Sequence, residues 1–314
     1  HIFHTSNKEV WKYINQFADF NNFINSPLAN YNGKLYNLPF NMNTFYQLWG
    51  TQTPLEAKAK IAEQCKKYDY ITHPANLEEH ALKMCGDDIY NTFIKGYTEK
   101  QWGRRATELP SFIIKRIPLR FVYNNNYFND TYQGIPVGGY TPIIESMIKG
   151  AEVQINTDYF ENKTYFDSLA PKMIFTGRID EFFDFKFGKL EYRSLHFEHE
   201  RLEINDFQGN AVVNYNEFDV PFTRIIEHKH FEFGTQPFTI VSKEFPNEYS
   251  KDSEPYYPVN DERNHTILGK YKELAKAYGN IYFGGRLAQY AYFDMDDTIE
   301  AALEVARKEF KLIK

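Results

Sequence analysis

Arginines set among apolar and aromatic residues mark where this sequence could bind an anion. Arg116 lies in Ile114-Lys115-Arg116-Ile117-Pro118, Arg193 follows Glu191-Tyr192, Arg224 follows Phe222-Thr223, and Arg286 sits in Gly284-Gly285-Arg286-Leu287. A guanidinium grips phosphate oxygens through two parallel donors, so such a set suits a diphosphate. Each one singly is equally a salt bridge to a nearby carboxylate. Gly284-Gly285-Arg286 follows the apolar run ending at Phe283, and Asp294-Met295-Asp296-Asp297-Thr298 opens the last helical stretch. The amides of a helix N-terminus carry partial positive charge and can face an electron-rich ring, although an aspartate-capped strand-turn-helix explains the same residues. Phe93 to Trp102 (Phe-Ile-Lys-Gly-Tyr-Thr-Glu-Lys-Gln-Trp) places aromatics about a glycine, able to stack on a base or sugar or simply to pack on a core. The close histidine pairs are His196/His199 and His228/His230; the second is expected on one face of a strand, with no third ligand at metal spacing. No metal is assigned.

What is absent is equally informative. Among the 17 glycines there is no G-x-G-x-x-G and no G-x-x-x-x-G-K, and neither a nucleophile elbow nor a Cys/His catalytic pairing occurs. The net charge of −6, from 36 basic and 42 acidic residues, argues against nucleic acid or a polybasic membrane role. No run approaches the ~20 apolar residues of a membrane span, and His1-Ile2-Phe3-His4-Thr5 does not resemble a signal peptide. A soluble, cytoplasmic protein is expected. Two cysteines, Cys65 and Cys85, make no disulfide framework. Aromatic residues make up 18% of the chain, with 24 tyrosines whose hydroxyls need partners, which suggests a wet, aromatic-lined cleft besides a core.

The elements that must position these residues are legible from caps and periodicity. Tyr31-Asn32-Gly33-Lys34 predicts a hairpin turn, and Thr53-Pro54-Leu55-Glu56 a capping box opening a helix to Tyr68. Further helices are predicted over Asn76 to Cys85, closed by Gly86, and over Asp87 to Lys95, closed by Gly96. A helix starts at Thr141-Pro142 and ends at Gly150, and Lys172 to Gly177 has the continuous apolar character of a buried parallel strand. Several antiparallel strands are expected over 190–245, a short strand at Asn280 to Phe283, and a last helix over Thr298 to Phe310. The predicted class is therefore mixed α/β: a Rossmann-like nucleotide-binding fold, incomplete at its start, with a helical and an antiparallel insertion. Its expected pieces are 1–20, 141–183 and 265–314 for the α/β domain, 44–117 for the helical subdomain, and 21–43, 118–140 and 184–264 for the antiparallel sheet.

Taken in order, His1 to Thr5, Leu38-Pro39-Phe40-Asn41, Lys95 to Trp102, Lys115 to Pro118, Asn126-Tyr127-Phe128, Asp219 to Ile225, Pro255-Tyr256-Tyr257-Pro258 and Gly285-Arg286-Leu287 through Tyr292-Phe293-Asp294-Met295 closely resemble bacterial UDP-galactopyranose mutase. The resemblance runs over essentially the whole chain. It implies an isomerase that interconverts UDP-galactopyranose and UDP-galactofuranose with FAD, active only when reduced, through a covalent bond between flavin N5 and the sugar. It also implies that a strand, glycine loop, helix and ribose-binding acidic residue precede His1, so the chain as it stands is expected to hold FAD weakly or not at all.

By the same resemblance, substrate would be held by Asn41, Phe93, Tyr97, Thr98, Trp102, Tyr127, Asn214, Tyr257 and Tyr292, with Arg116 and Arg224 neutralising the diphosphate as catalytic residues and 102–116 moving as a lid. His1, Ile2, His4, Arg193, Arg286 and Phe293, Asp294, Met295, Asp296, Asp297 and Thr298 would lie against FAD. The partner is then UDP-galactose, with no nucleic acid and a homodimer left open. Ile94 stands where the family commonly has an aromatic, and Arg178 where it usually has proline. The alternatives are a flavin oxidase of amine-oxidase type and a non-catalytic UDP-sugar-binding remnant.

Overall fold

The computed structural model describes residues 1–114, 118–251 and 253–310. Strand β1 (Phe3–Thr5) leads into α1 (Lys8–Ile14), whose first amides bond to the Asn7 side chain. Strands β2 (Leu28–Tyr31) and β3 (Lys34–Asn37) form the predicted hairpin, since Asn32 (φ 51°) and Gly33 (φ 73°) both adopt the left-handed backbone its two-residue turn requires. After α2 (Met42–Trp49) comes α3 (Pro54–Cys65), where Thr53 and Glu56 make both bonds of the capping box.

The next helix departs from expectation. α4 (Leu77–Ile89) starts on its Asn76 cap but does not end at Gly86, which kinks it with φ 80° and ψ 179°. A Cβ there would stand 2.6 Å from Gln64 Cβ, so the glycine permits α3 to approach. The chain continues through a π-helical turn at Tyr90–Ile94 into α5 (Lys95–Trp102), and Gly96 is no stop either. Its missing Cβ makes room for the Asn216 carbonyl oxygen, 2.3 Å from where that atom would be. The true terminator is Gly103, at φ 64°.

Beyond lie β4 (Tyr132–Gly134), α6 (Thr141–Met147), α7 (Lys163–Ser168), β5 (Met173–Phe175) and α8 (Ile179–Phe182). Then come β6 (Tyr192–Leu202), β7 (Val212–Tyr215), β8 (Arg224–Glu227) and β9 (Thr239–Glu248). The chain closes with β10 (Tyr257–Pro258), α9 (Glu262–Ala275), β11 (Ile281–Phe283), α10 (Gly285–Gln289) and α11 (Met295–Val305). Helix α11 begins at Met295 rather than Thr298, because Asp294 caps it and Asp297 bonds back to the Asp294 amide.

These elements gather into two compact units. One comprises His1–Asn22, Asp130–Tyr192 and Pro255–Lys314; the other Phe23–Asn129 and Arg193–Glu254. In the first, β5 and β11 pair in parallel, Met173 opposite Ile281 and Phe175 opposite Phe283, as expected, but the expected burial is not met: Phe175 is buried, Ile174 is exposed, and β11 is only partly covered. Phe175, Phe182, Phe183 and Phe283 pack there ring on ring, so part of the aromatic excess is core. Strand β4 pairs antiparallel with β1, Phe3 opposite Gly134, placing it with the α/β unit and not with the antiparallel insertion. A second core of Phe3, Val10, Ile14 and Ile143 receives Met295 and Ile299 from α11.

In the second unit six strands run in the order β6-β9-β8-β7-β2-β3 among the described residues. β2 meets β7 in parallel and the remaining neighbours are antiparallel, so the sheet is mixed. Ala29 and Tyr36 of the hairpin share one core with Phe45, Leu77, Ile89 and Ile94, which makes the helical segment and the sheet one body. Among the described residues no helix is long and apolar enough to cross a membrane.

Candidate active site

In the second unit Asn214 on β7 lies directly opposite Arg224 on β8, and Arg224 directly opposite Glu244 on β9. Residues in register share a face of the sheet, so the three form one row. Arg224 Nε donates to Glu244 Oε1 at 2.9 Å, and the Thr223 hydroxyl donates to the same oxygen at 2.8 Å. Glu244 is buried, whereas the Arg224 side chain remains 29% exposed. Asn214 Oδ1 is buried and accepts no hydrogen bond among the described residues. The row therefore combines a partly exposed cation, held from behind, with a buried amide oxygen. Glu244 escapes sequence reasoning because strand register, not spacing, brings it to Arg224.

Helix α5 carries the next group. Tyr97 and Trp102 are half-buried and Thr98 is 8% exposed. Phe93, expected against a base, is instead core: its ring meets Tyr36 edge-on at 5.0 Å and Phe40 at 5.2 Å. Ile94 is likewise enclosed in that core. Lys100 is buried, and its ammonium donates to the carbonyls of Tyr215 (2.7 Å), Val220 (2.9 Å) and Phe222 (2.8 Å). Burial pushes its pKa down to about 8, against the pull of Glu217. Arg193, expected on FAD, donates to the Gln101 carbonyl at 3.2 Å and lies against Gly103, where it covers the C-terminus of α5. In the segment expected to move as a lid, Ala106, Leu109 and Ile114 are buried in the core. Arg116 lies outside the described residues.

Two further expectations separate clearly. Tyr127 is 44% exposed and open to a ligand. Asn41 is not: it has no exposed surface, its Oδ1 caps α2 through the Asn43 and Thr44 amides, and its Nδ2 donates to Asn124 O and Asn125 Oδ1, both at 2.9 Å. In this structure Asn41 thus serves as the cap of α2. Asn41→Ala should therefore cost about 1–2 kcal/mol of stability and leave KM unchanged, as melts beside steady-state rates would record.

The first unit collects most of the expected cofactor residues. His4 Nδ1 and Ser6 Oγ bond the two oxygens of Asp130, each at 2.8 Å, and the His1 carbonyl accepts from Tyr140. Thr5 bonds Asp296, whose carboxyl burial holds above its ordinary pKa, so β1 and the start of α11 meet. Ile2 and Phe293 are half-buried nearby in the chain, Met295 packs inward, and the Thr298 hydroxyl donates to the Asp294 carbonyl. Arg286 rests over the rings of Tyr292 (4.7 Å) and Tyr257 (5.5 Å), which are themselves stacked 5.6 Å apart. Among the described residues its Nε and Nη2 are buried and donate to nothing. Gly285 makes this placement possible by taking φ 79° at the start of α10. Buried guanidinium donors without acceptors fit an anionic or electron-rich group such as a flavin.

The histidines also move. His228 and His230 stand on a 3-10 turn, not a strand, because β8 ends at Glu227. His230 Nε2 lies 3.2 Å from Glu227 and 3.4 Å from Asp206, two carboxylates that sequence spacing does not bring to it. Glu227 already accepts from the Phe207 and Gln208 amides and the Thr239 hydroxyl, so the cluster closes a loop.

A family model described as UDP-galactopyranose mutase matches residues 92–292, a span holding Phe93, Asn214, Arg224, Tyr257, Arg286 and Tyr292. The chain belongs to that family. It is 39% identical to the dTDP-fucopyranose mutase of Escherichia coli, over 99% of this chain and 84% of the relative. It is 40% identical to the "Probable UDP-galactopyranose mutase" of Klebsiella pneumoniae, over 98% and 79%. A crystal structure of reduced UDP-galactopyranose mutase superposes with TM-score 0.72 at 14% identity, covering 100% of this chain and 83% of that one, and so shares the fold. This family member is an isomerase of the mutase type.

Proposed function

We propose that the enzyme interconverts UDP-galactopyranose and UDP-galactofuranose, with FAD in its reduced form as the cofactor, and that it works in the cytoplasm. The observation carrying this reading is the Asn214–Arg224–Glu244 row inside the stretch that matches the mutase family. Charge on the departing UDP is what the protein must stabilise, and the partial exposure of Arg224 beside Glu244 supports giving it that role. Arg116 is assigned the same role by its motif. Tyr97, Trp102 and Tyr127 of the second unit are proposed to supply rings and hydroxyls for the nucleotide and sugar. Arg286 is proposed to hold the flavin, with His4 and the start of α11 alongside. The bound flavin supplies electron-rich chemistry at the anomeric carbon; orientation and charge come from the chain.

A second substrate, dTDP-fucopyranose, is favoured by the 39% identity to the relative of that name, and it carries the same diphosphate. Purified holoenzyme should show flavin absorbance and bind UDP in competition with substrate. UDP binding without turnover in protein reconstituted with FAD and reduced would favour a sugar-nucleotide-binding role, and bound flavin without UDP competition an oxidase.

A further inference from the structure

Helix α5 and the 216–223 connection between β7 and β8 are joined by two independent devices. Gly96 on one turn leaves no room for a side chain against Asn216 O, which would stand 2.3 Å from a Cβ, and Phe218 N, at 3.0 Å. Lys100, one turn further on the same helix, has three ammonium protons and three carbonyl acceptors at 2.7–2.9 Å, two of them inside the connection and one at the end of β7. The residues on either side of this joint are the ones assigned to substrate: Tyr97 and Thr98 between the two devices, Asn214 and Arg224 at the strand ends the connection links. The connection has further ties, through Asn216 N to Asn30 O at 3.0 Å and Thr223 N to Glu244 O at 2.8 Å.

We propose that Lys100 is a positioning residue for the isomerisation, holding α5 and the β7–β8 connection together so that Tyr97, Thr98, Asn214 and Arg224 meet substrate as one rigid group. The proposal rests on the substrate assignment above. A buried lysine used only for stability needs no relation to the site; this one bonds the carbonyl next to Asn214 and the carbonyl two residues before Arg224. Small errors in the placement of binding groups are costly in rate, which is why such a joint matters for turnover.

The test compares Lys100→Ala, Arg224→Ala and the double variant in the reduced holoenzyme, at a temperature where circular dichroism shows each folded. Lys100→Ala should lower kcat/KM at least about tenfold, millimolar ethylammonium should restore part of the loss, and the two substitutions should combine to less than the product of their separate effects, because they act through one group. Folded Lys100→Ala with wild-type kcat/KM, beside impaired Arg224→Ala, overturns the positioning role and leaves the substrate assignment standing. Wild-type rates in both overturn the role and the assignment together. Where Lys100→Ala does not fold, Gly96→Ala opens the same joint from the other device, and wild-type kcat/KM in that folded variant overturns the proposal equally.

Discussion

Arg224→Ala should impair both turnover and folding, and the two losses should be separable. A charge-assisted hydrogen bond to the departing diphosphate contributes about 1.5–3 kcal/mol, so kcat/KM should fall roughly ten- to more than a hundredfold. The melting temperature should fall as well, because Glu244 is buried and would lose the cation 2.9 Å from it. Adding Glu244→Gln removes the stranded charge, so the double variant should recover much of the melting temperature and none of the rate. Arg224→Lys should recover part of the rate, a point charge being a poor copy of the bidentate fork. Steady-state rates of the reduced holoenzyme measured beside thermal melts decide it. A variant that melts early yet turns over like wild type would make Arg224 a structural ion pair and nothing more.

Arg286→Met should move two quantities in opposite directions. Among the described residues the guanidinium has two buried donors without acceptors, an arrangement that costs stability unless a ligand supplies them. Replacing it with an apolar chain of similar length over Tyr257 and Tyr292 should hold or raise the flavin-free melting temperature. Flavin retention should fall on the order of ten- to a hundredfold, the loss expected for about 1.5–3 kcal/mol of charge-assisted bonding. Flavin absorbance per protein after dialysis, read beside melts of the stripped protein, measures both. A lower flavin-free melting temperature with unchanged flavin content would show that Arg286 serves the fold.

How far the sequence foretells this molecule depends on the range of the interaction. Caps and turns are local, so the Thr53–Glu56 box, the Asn32-Gly33 hairpin turn and the Asn76 cap appear where the residues predict them. The apolar runs at 173–175 and 281–283 announce two strands that do pair in parallel, but not buried ones: Ile174 is 59% exposed and no residue of Ile281–Phe283 is buried. Glycine is ambiguous: Gly86 and Gly96 look like helix stops but serve close approach to Gln64 and Asn216, partners far along the chain. The Asn214–Arg224–Glu244 row is invisible in one dimension because register is settled by the whole sheet. The resemblance names residues near the chemistry without telling contact from support, and only burial separates Tyr127, exposed, from Asn41 and Phe93, enclosed.

The enzyme is proposed to isomerise a sugar nucleotide at a site built around Arg224. The most direct measurement incubates the chemically reduced holoenzyme with UDP-galactopyranose, and in parallel with dTDP-fucopyranose, following furanose formation by chromatography. The expected result is an equilibrium mixture of UDP-galactopyranose and UDP-galactofuranose, a higher kcat/KM for the UDP sugar than for the dTDP sugar, and collapse of both rates in Arg224→Ala. Furanose formed from dTDP-fucopyranose alone would contradict the substrate assignment. No furanose from either sugar, in an enzyme that carries reduced flavin and binds UDP, would contradict the proposed reaction itself.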